Sequence, residues 1–412
     1  MIKPTFLQYF YIKKGVMMVK IYADDKYTRF LTKRIKNYYK EKMPDIKSVP
    51  NGIIANEHIN GYGVFDEEYK FVKSSIQNHK GRKGQFIPKF NHDDIPYIDA
   101  DAVYLCHCGK NNFGHFIVEY INRAWCLLNE KFQNMKIVIV DEIGCGKIND
   151  YIYVLLGLLN VKPENILLLD KTTRFRNVFI PTPAFDITAY YTDAYAEMMN
   201  KIANEAPKVE AYDKIYLSRC KMPADRHTYG EERIQSIFER NGYKIIYPET
   251  LPLAEQIALV KNCKVLAGCA GTALHLALFM KEGGTVVQIK RNNMLVDNAD
   301  TQYLINMAKG LDSIFVAGSV EKIKTDHWST VPQIIGVTPH MKRFFDDNHF
   351  VYDDVIVDEQ SWQDYEKALN GYTNERRVMA GLKKAFIHYS SCLIIGRMAR
   401  KKYRHFMQEK FG

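Results

Sequence analysis

Three residues between Asn111 and Trp125 have the types and spacing of a proton-transfer site: His115, Glu119 and Arg123. On a helix, positions i, i+4 and i+8 stack along one face. Phe116, Ile117, Tyr120, Ala124, Leu127 and Leu128 then form the opposite, buried side. An imidazole can take a proton near neutral pH, a neighbouring carboxylate can orient it, and an arginine can tie the carboxylate. The bland alternative is a capped amphipathic helix with a salt-bridged outer face. The spacing leaves both open.

A second candidate lies at Gly268-Cys-Ala-Gly271-Thr272, between a predicted strand at Lys264 to Ala267 and a predicted helix from Ala273 to Met280. Glycines let the backbone turn sharply and approach a ligand, and Thr272 is expected to cap the helix. Unpaired N–H groups at a helix start favour a diphosphate. Gly-x-x-Gly is neither a Walker nor a Rossmann fingerprint, so an ordinary strand-to-helix turn is the competing interpretation.

The elements that must position these residues read as alternating strands and helices, the pattern of parallel sheets with crossover helices. Strands are predicted at Ala102 to Cys106, Lys136 to Asp141, Ile166 to Leu169 and Phe175 to Ile180, with helices at Phe113 to Asn129 and Tyr151 to Leu159. Pro181 and Pro183 end this series, and a helix from Thr192 to Asn204 leads to a boundary. The alternation restarts with strands at Lys214 to Leu217, Tyr243 to Tyr247, Lys264 to Ala267 and Thr285 to Ile289. Helices at Glu231 to Asn241, Leu253 to Lys261 and Thr272 to Met280 separate them. The fold class is therefore α/β, with two Rossmann-like doubly wound domains expected at 1–205 and 206–320 and an extension at 321–412.

From Tyr216 to Ile289 the chain carries Tyr216, Leu217, Ser218, Arg219, Cys220 and Lys221, then Arg226, Glu231 and Glu232, then Tyr247, Pro248 and Glu249. Leu253 to Ile257, Ala267 to Gly271, Leu278 to Met280 and Gly284 to Val287 follow. In order and spacing this run resembles the donor half of glycosyltransferase family 61. Gly114-His115, with an acid four residues later and an arginine four after that, resembles the same family, so the likeness spans about residues 100 to 290.

That resemblance implies a GT-B arrangement, two domains facing a central cleft with a C-terminal helical tail. It implies inverting transfer of a sugar from a nucleotide sugar, UDP-linked, to a glycan or glycolipid acceptor in bacterial capsule or surface polysaccharide assembly. Ser218, Arg219 and Lys221 would face the donor diphosphate at a strand's carboxyl end, joined by Arg226. Pro248 and Glu249 would border the base and ribose. Gly268, Ala270, Gly271, Thr272 and Ala273 would form the turn beneath the diphosphate. His115 would act as base, with Glu119 orienting it or holding the acceptor. Glu119 stands where the family often has Asp, which leaves open which of the two is the base.

One departure bears on mechanism: the family commonly has His-Gly in the glycine turn, and here Ala270-Gly271 stands in that place. His275, four residues after Gly271, either substitutes in part or packs in the helix. Two other functions stay in view, a polysaccharide pyruvyl transferase using phosphoenolpyruvate and a non-catalytic partner that binds sugar nucleotides.

The 412 residues, 47% hydrophobic and 13% aromatic, are more than one core usually serves and exclude a largely disordered chain. No apolar stretch is long enough for a bilayer and no signal-peptide core is seen, so a cytoplasmic protein is expected. The eight cysteines form no spaced framework and are taken as reduced thiols. Cys106-His107-Cys108 with His115 lacks a paired Cys-x-x-Cys, and Asp297 and Asp300 are not spaced as Asp-x-Asp, so no metal or cofactor is expected. Most of the +10 net charge sits after Asn374, where ten lysines and arginines face Glu375 and Glu409. This tail reads equally as a basic amphipathic helix on anionic lipid at the inner face of the plasma membrane or as a closing helix packed on the domains. It carries no nucleic-acid reading module.

Overall fold

The computed structural model describes residues 6–12, 15–76, 87–107, 112–187, 189–223, 226–295, 299–321 and 331–374. The tail from Arg376 to Phe411 and Asp297 lie outside the described residues. Among those described, no helix is long and apolar enough to cross a membrane.

The first sheet runs Tyr62–Phe65, Ile53–Asn56, Thr173–Pro181, Tyr97–His107, Lys136–Val140, Ile166–Leu169, with Ile46–Pro50 also paired to Thr173–Pro181. Its last four strands are parallel. Side chains alternate across such strands. Val103 and Leu105 with Ile137 and Ile139 face one core, while Ala102 and Tyr104 with Val138 and Val140 face another.

The second sheet runs Phe6–Ile12, Gly15–Tyr22, Asp312–Ala317, Thr285–Lys290, Val265–Cys269, Lys214–Leu217, Lys244–Ile246. All neighbours are parallel except the Phe6–Ile12 edge. Numbered from Lys214, the five consecutive strands lie in the order 2-1-3-4-5, a doubly wound topology. Strand order reverses between Lys214–Leu217 and Val265–Cys269. Ligands of open parallel sheets bind outside the carboxyl ends of the strands at such a reversal.

Two departures from the expected boundaries follow. The strands Phe6–Ile12 and Gly15–Tyr22 precede the first sheet in sequence yet form the edge of the second, so the segment 1–205 is split between the two sheets. Residues beyond 320 also join the second unit: Gln333–Ile334 pairs with Thr228–Tyr229, and the helix Pro339–Asp347 buries Met341, Phe344 and Phe345 against that sheet. The two sheets are joined by helices packed between them. Asp193–Glu205, Ala299–Ala308, Leu253–Val260 and the two helices that begin at Phe113 and Thr272 share one apolar core with a face of each sheet.

Candidate active site

The segment after Tyr97–His107 begins with Asn112, whose side chain accepts from the His115 N–H at 3.3 Å and so caps the helix. The helix is not uniform. Phe113–His115 is α-helical, Phe116–Tyr120 widens into a π-turn, and Ile121–Leu128 tightens into a 3-10 helix. π-turns inside helices recur at functional sites.

His115 and Glu119 meet as their spacing predicts, His115 Nδ1 hydrogen-bonding to Glu119 Oε2. The imidazole is one-third exposed, while the carboxylate is buried. Arg123 does not join them, which corrects its expected place on the same polar face. Changing from a π-turn to a 3-10 helix alters the rotation per residue, and a face extrapolated at α-helical pitch is lost. Arg123 is fully buried, and its guanidinium donates to the backbone carbonyls of Ser74, Ile76 and Pro181 and lies over the Tyr104 ring. Burial holds it below the ordinary arginine range.

The helix start abuts the glycine turn of the second sheet. A Cβ on Gly114 would lie 2.7 Å from the Thr272 side chain, so only glycine permits this approach. Thr272 therefore meets Gly114 and makes no capping hydrogen bond; Gly271 occupies the cap position of the 3-10 helix Thr272–Phe279. Gly268 lies beneath, where a Cβ would be 2.9 Å from the Leu217 carbonyl. The Ala270 N–H donates to the Ile289 carbonyl at 2.8 Å. Ala273 follows in the first turn, packed against the shared core. His275 is buried and hydrogen-bonds to Gln302, which continues to Asn306 and Ser313, a relay within the core.

Around the strand reversal, Arg219 reaches the turn: its Nη1 is 3.3 Å from where a Gly271 Cβ would stand, and its Nη2 donates to the Arg226 carbonyl at 3.0 Å. Arg226 meets Arg219 through its backbone, with its side chain exposed. Ser218 is buried, donates to Gln235 at 2.6 Å and accepts from the Cys220 N–H at 3.1 Å. Gln235 in turn donates to the Tyr247 hydroxyl, and the Lys221 ammonium sits 4.1 Å above the Tyr247 ring. Lys221 thus stands with the following Pro248 and Glu249 at the neighbouring strand end. Pro248 is buried, its carbonyl held by Gln256 at 2.7 Å, while Glu249 is exposed.

Two residues that sequence reasoning did not assign to this site complete it. Glu231, fully buried at the start of the helix Glu231–Arg240, accepts from the Arg219 N–H at 3.0 Å and the Tyr216 hydroxyl at 3.2 Å. Arg291, buried just beyond the strand Thr285–Lys290, donates through Nε to the Ala270 carbonyl at 2.7 Å. Its position at the carboxyl end of a parallel strand was the available signal. Burial and then the neighbouring Arg219 depress the Arg291 guanidinium to about 10.

Burial raises the Glu231 carboxyl from the ordinary 4.5 to about 7, against the pull of Arg219 and Arg291. A folded state that holds a proton more tightly than the unfolded chain has its full share of stability below pH 4.5 and loses it as pH rises to about 7. The contribution is on the order of 3 kcal/mol. Denaturation of the wild type from pH 5 to 8 should therefore show a downward slope that Glu231→Gln flattens, and identical slopes for the two proteins would refute the assignment.

Among the described residues, no group of three or more His, Cys, Asp or Glu is placed to hold a metal ion. No curated protein matches the chain. Residues 113–287, from the first residue of the His115 helix into the strand that leads to Arg291, match the family model described as Glycosyltransferase 61, and this match supports a glycosyltransferase.

Proposed function

We propose that the protein transfers a sugar from a nucleotide sugar, UDP-linked, to a hydroxyl of a glycan or glycolipid acceptor, with inversion at the anomeric carbon. The observation that carries this reading is the contact of Gly114 with Thr272, which brings His115 beside a glycine turn flanked by Arg219 at a strand-order reversal. A residue able to accept a proton and a helix start able to take a diphosphate are thereby neighbours, which supports this reading.

In this mechanism the acceptor hydroxyl oxygen attacks the anomeric carbon while the carbon–oxygen bond to the diphosphate breaks. The bonding pair leaves with the diphosphate oxygen, and the acceptor proton passes to His115. Glu119 holds Nδ1, which assigns proton transfer to Nε2 of the same ring. Single displacement from the face opposite the leaving group gives inversion. Cationic side chains and the helix start at Thr272 stabilise charge on the departing diphosphate, so the proposed reaction is metal-independent. The resemblance supports a role in surface polysaccharide assembly in the cytoplasm, with the basic tail drawing the protein to anionic membrane.

A thermal-shift screen against UDP, GDP, CMP and their sugars tests the reading, because a ligand of the folded state raises its apparent stability. UDP and at least one UDP-sugar should raise the midpoint, and that sugar should be hydrolysed slowly without acceptor. Binding of no nucleotide would sink the proposal.

A further inference from the structure

Buried charges are normally paired, because an isolated ion loses its hydration without replacement. At the floor of the glycine turn two guanidiniums stand near one another and near the Glu231 carboxylate. Arg219 and Arg291 are close enough to repel one another, and neither guanidinium hydrogen-bonds to a carboxylate among the described residues. Their hydrogen bonds go to the carbonyls of Arg226 and Ala270. Glu231 faces both from the neighbouring helix: its Oε1 accepts from the Arg219 N–H and the Tyr216 hydroxyl, and its buried Oε2 has no hydrogen-bond partner among the described residues. The Cys269 thiol and Glu321 are the other ionisable groups near Arg291, and Glu321 accepts from the Asn293 N–H at 3.1 Å. Two guanidiniums, each hydrogen-bonded to a backbone carbonyl and, among the described residues, not to a carboxylate, therefore lie beneath a helix start at a strand-order reversal.

Resting on the donor-site reading, we infer that Arg291 is a second diphosphate-binding residue, closing with Arg219 on the nucleoside diphosphate from below the turn, with Glu231 as the residue that positions Arg219. The planar fork of Arg291 suits this role: Nε holds the Ala270 carbonyl and so fixes the turn, which leaves the terminal nitrogens as donors for an anion. On this reading a cation stands beside Ala270, which has no ionisable side chain of its own. The cation is supplied by the next strand, and the turn contributes a carbonyl that aims it.

The test is binding of UDP, uridine and inorganic pyrophosphate to wild type, Arg291→Gln and Arg291→Lys, each first checked for a native melting transition. Loss of a charge-assisted contact should weaken UDP and pyrophosphate roughly 10- to 100-fold in Arg291→Gln. Uridine, which lacks the diphosphate, should bind both proteins equally, and Arg291→Lys should fall between them. A merely structural role would weaken uridine and UDP together and would overturn the inference, as would UDP binding within threefold of wild type. Wild type that binds neither UDP nor pyrophosphate would instead overturn the donor site itself. Should Arg291→Gln fail to fold, the Arg291→Lys ratio of UDP to uridine affinity decides: an unchanged ratio overturns the inference.

Discussion

Replacing His115 by alanine is expected to lower sugar transfer about a thousandfold while leaving nucleotide affinity within about twofold of wild type. Removing a general base acts on the transition state, whereas the proposed donor site is built on the opposite element. Glu119→Gln should give a smaller loss, roughly 10- to 100-fold, because the amide still contacts the ring but no longer stabilises the imidazolium that forms as the proton arrives. The measurements are steady-state turnover with donor and acceptor, and donor binding measured separately. Equal background turnover in wild type and His115→Ala would instead identify a partner that binds sugar nucleotides without catalysis.

The expectation holds only if the two halves of the site remain apposed, and Gly114 is where that is decided. The residue was legible as part of a Gly-His pair, yet its reason was not. Its missing side chain is what admits Thr272, a residue distant in sequence that follows a strand of the other sheet. No local pattern reports such a contact.

The same distinction runs through the fold. Strands such as Ile166–Leu169 and Lys214–Leu217 coincide with their predicted bounds because short β-rich runs between helical stretches mark themselves. The strand Gly15–Tyr22 pairs with Asp312–Ala317 from the far end of the chain, so no local pattern reports its sheet. Thr272–Phe279 was visible as a helix, but its 3-10 form and the Gly271 cap were not, because they depend on the contact made by Thr272. Arg291 was hidden for another reason: a basic residue after a strand usually marks a solvated loop, and only its burial against Ala270 makes it part of the site.

Arg123 carries the largest expected effect on stability. Its charge sits in a cage of three backbone carbonyls with no exposed surface. Arg123→Met fills much of the volume but leaves the carbonyls of Ser74, Ile76 and Pro181 without this donor. Each unsatisfied buried carbonyl costs about 1–3 kcal/mol, offset in part because the guanidinium's own desolvation is no longer required. A net loss of about 3–5 kcal/mol in chemical denaturation is expected. Arg123→Lys should lie between, since one ammonium cannot span the same carbonyls in a planar fork. For protein that remains folded, kcat should stay within about threefold of wild type, because the guanidinium ties the helix to Ser74, Ile76 and Pro181 and does not touch Glu119. A variant of wild-type stability with turnover reduced a hundredfold would return Arg123 to the catalytic group and overturn this placement. Stability and turnover must therefore be measured on the same preparation.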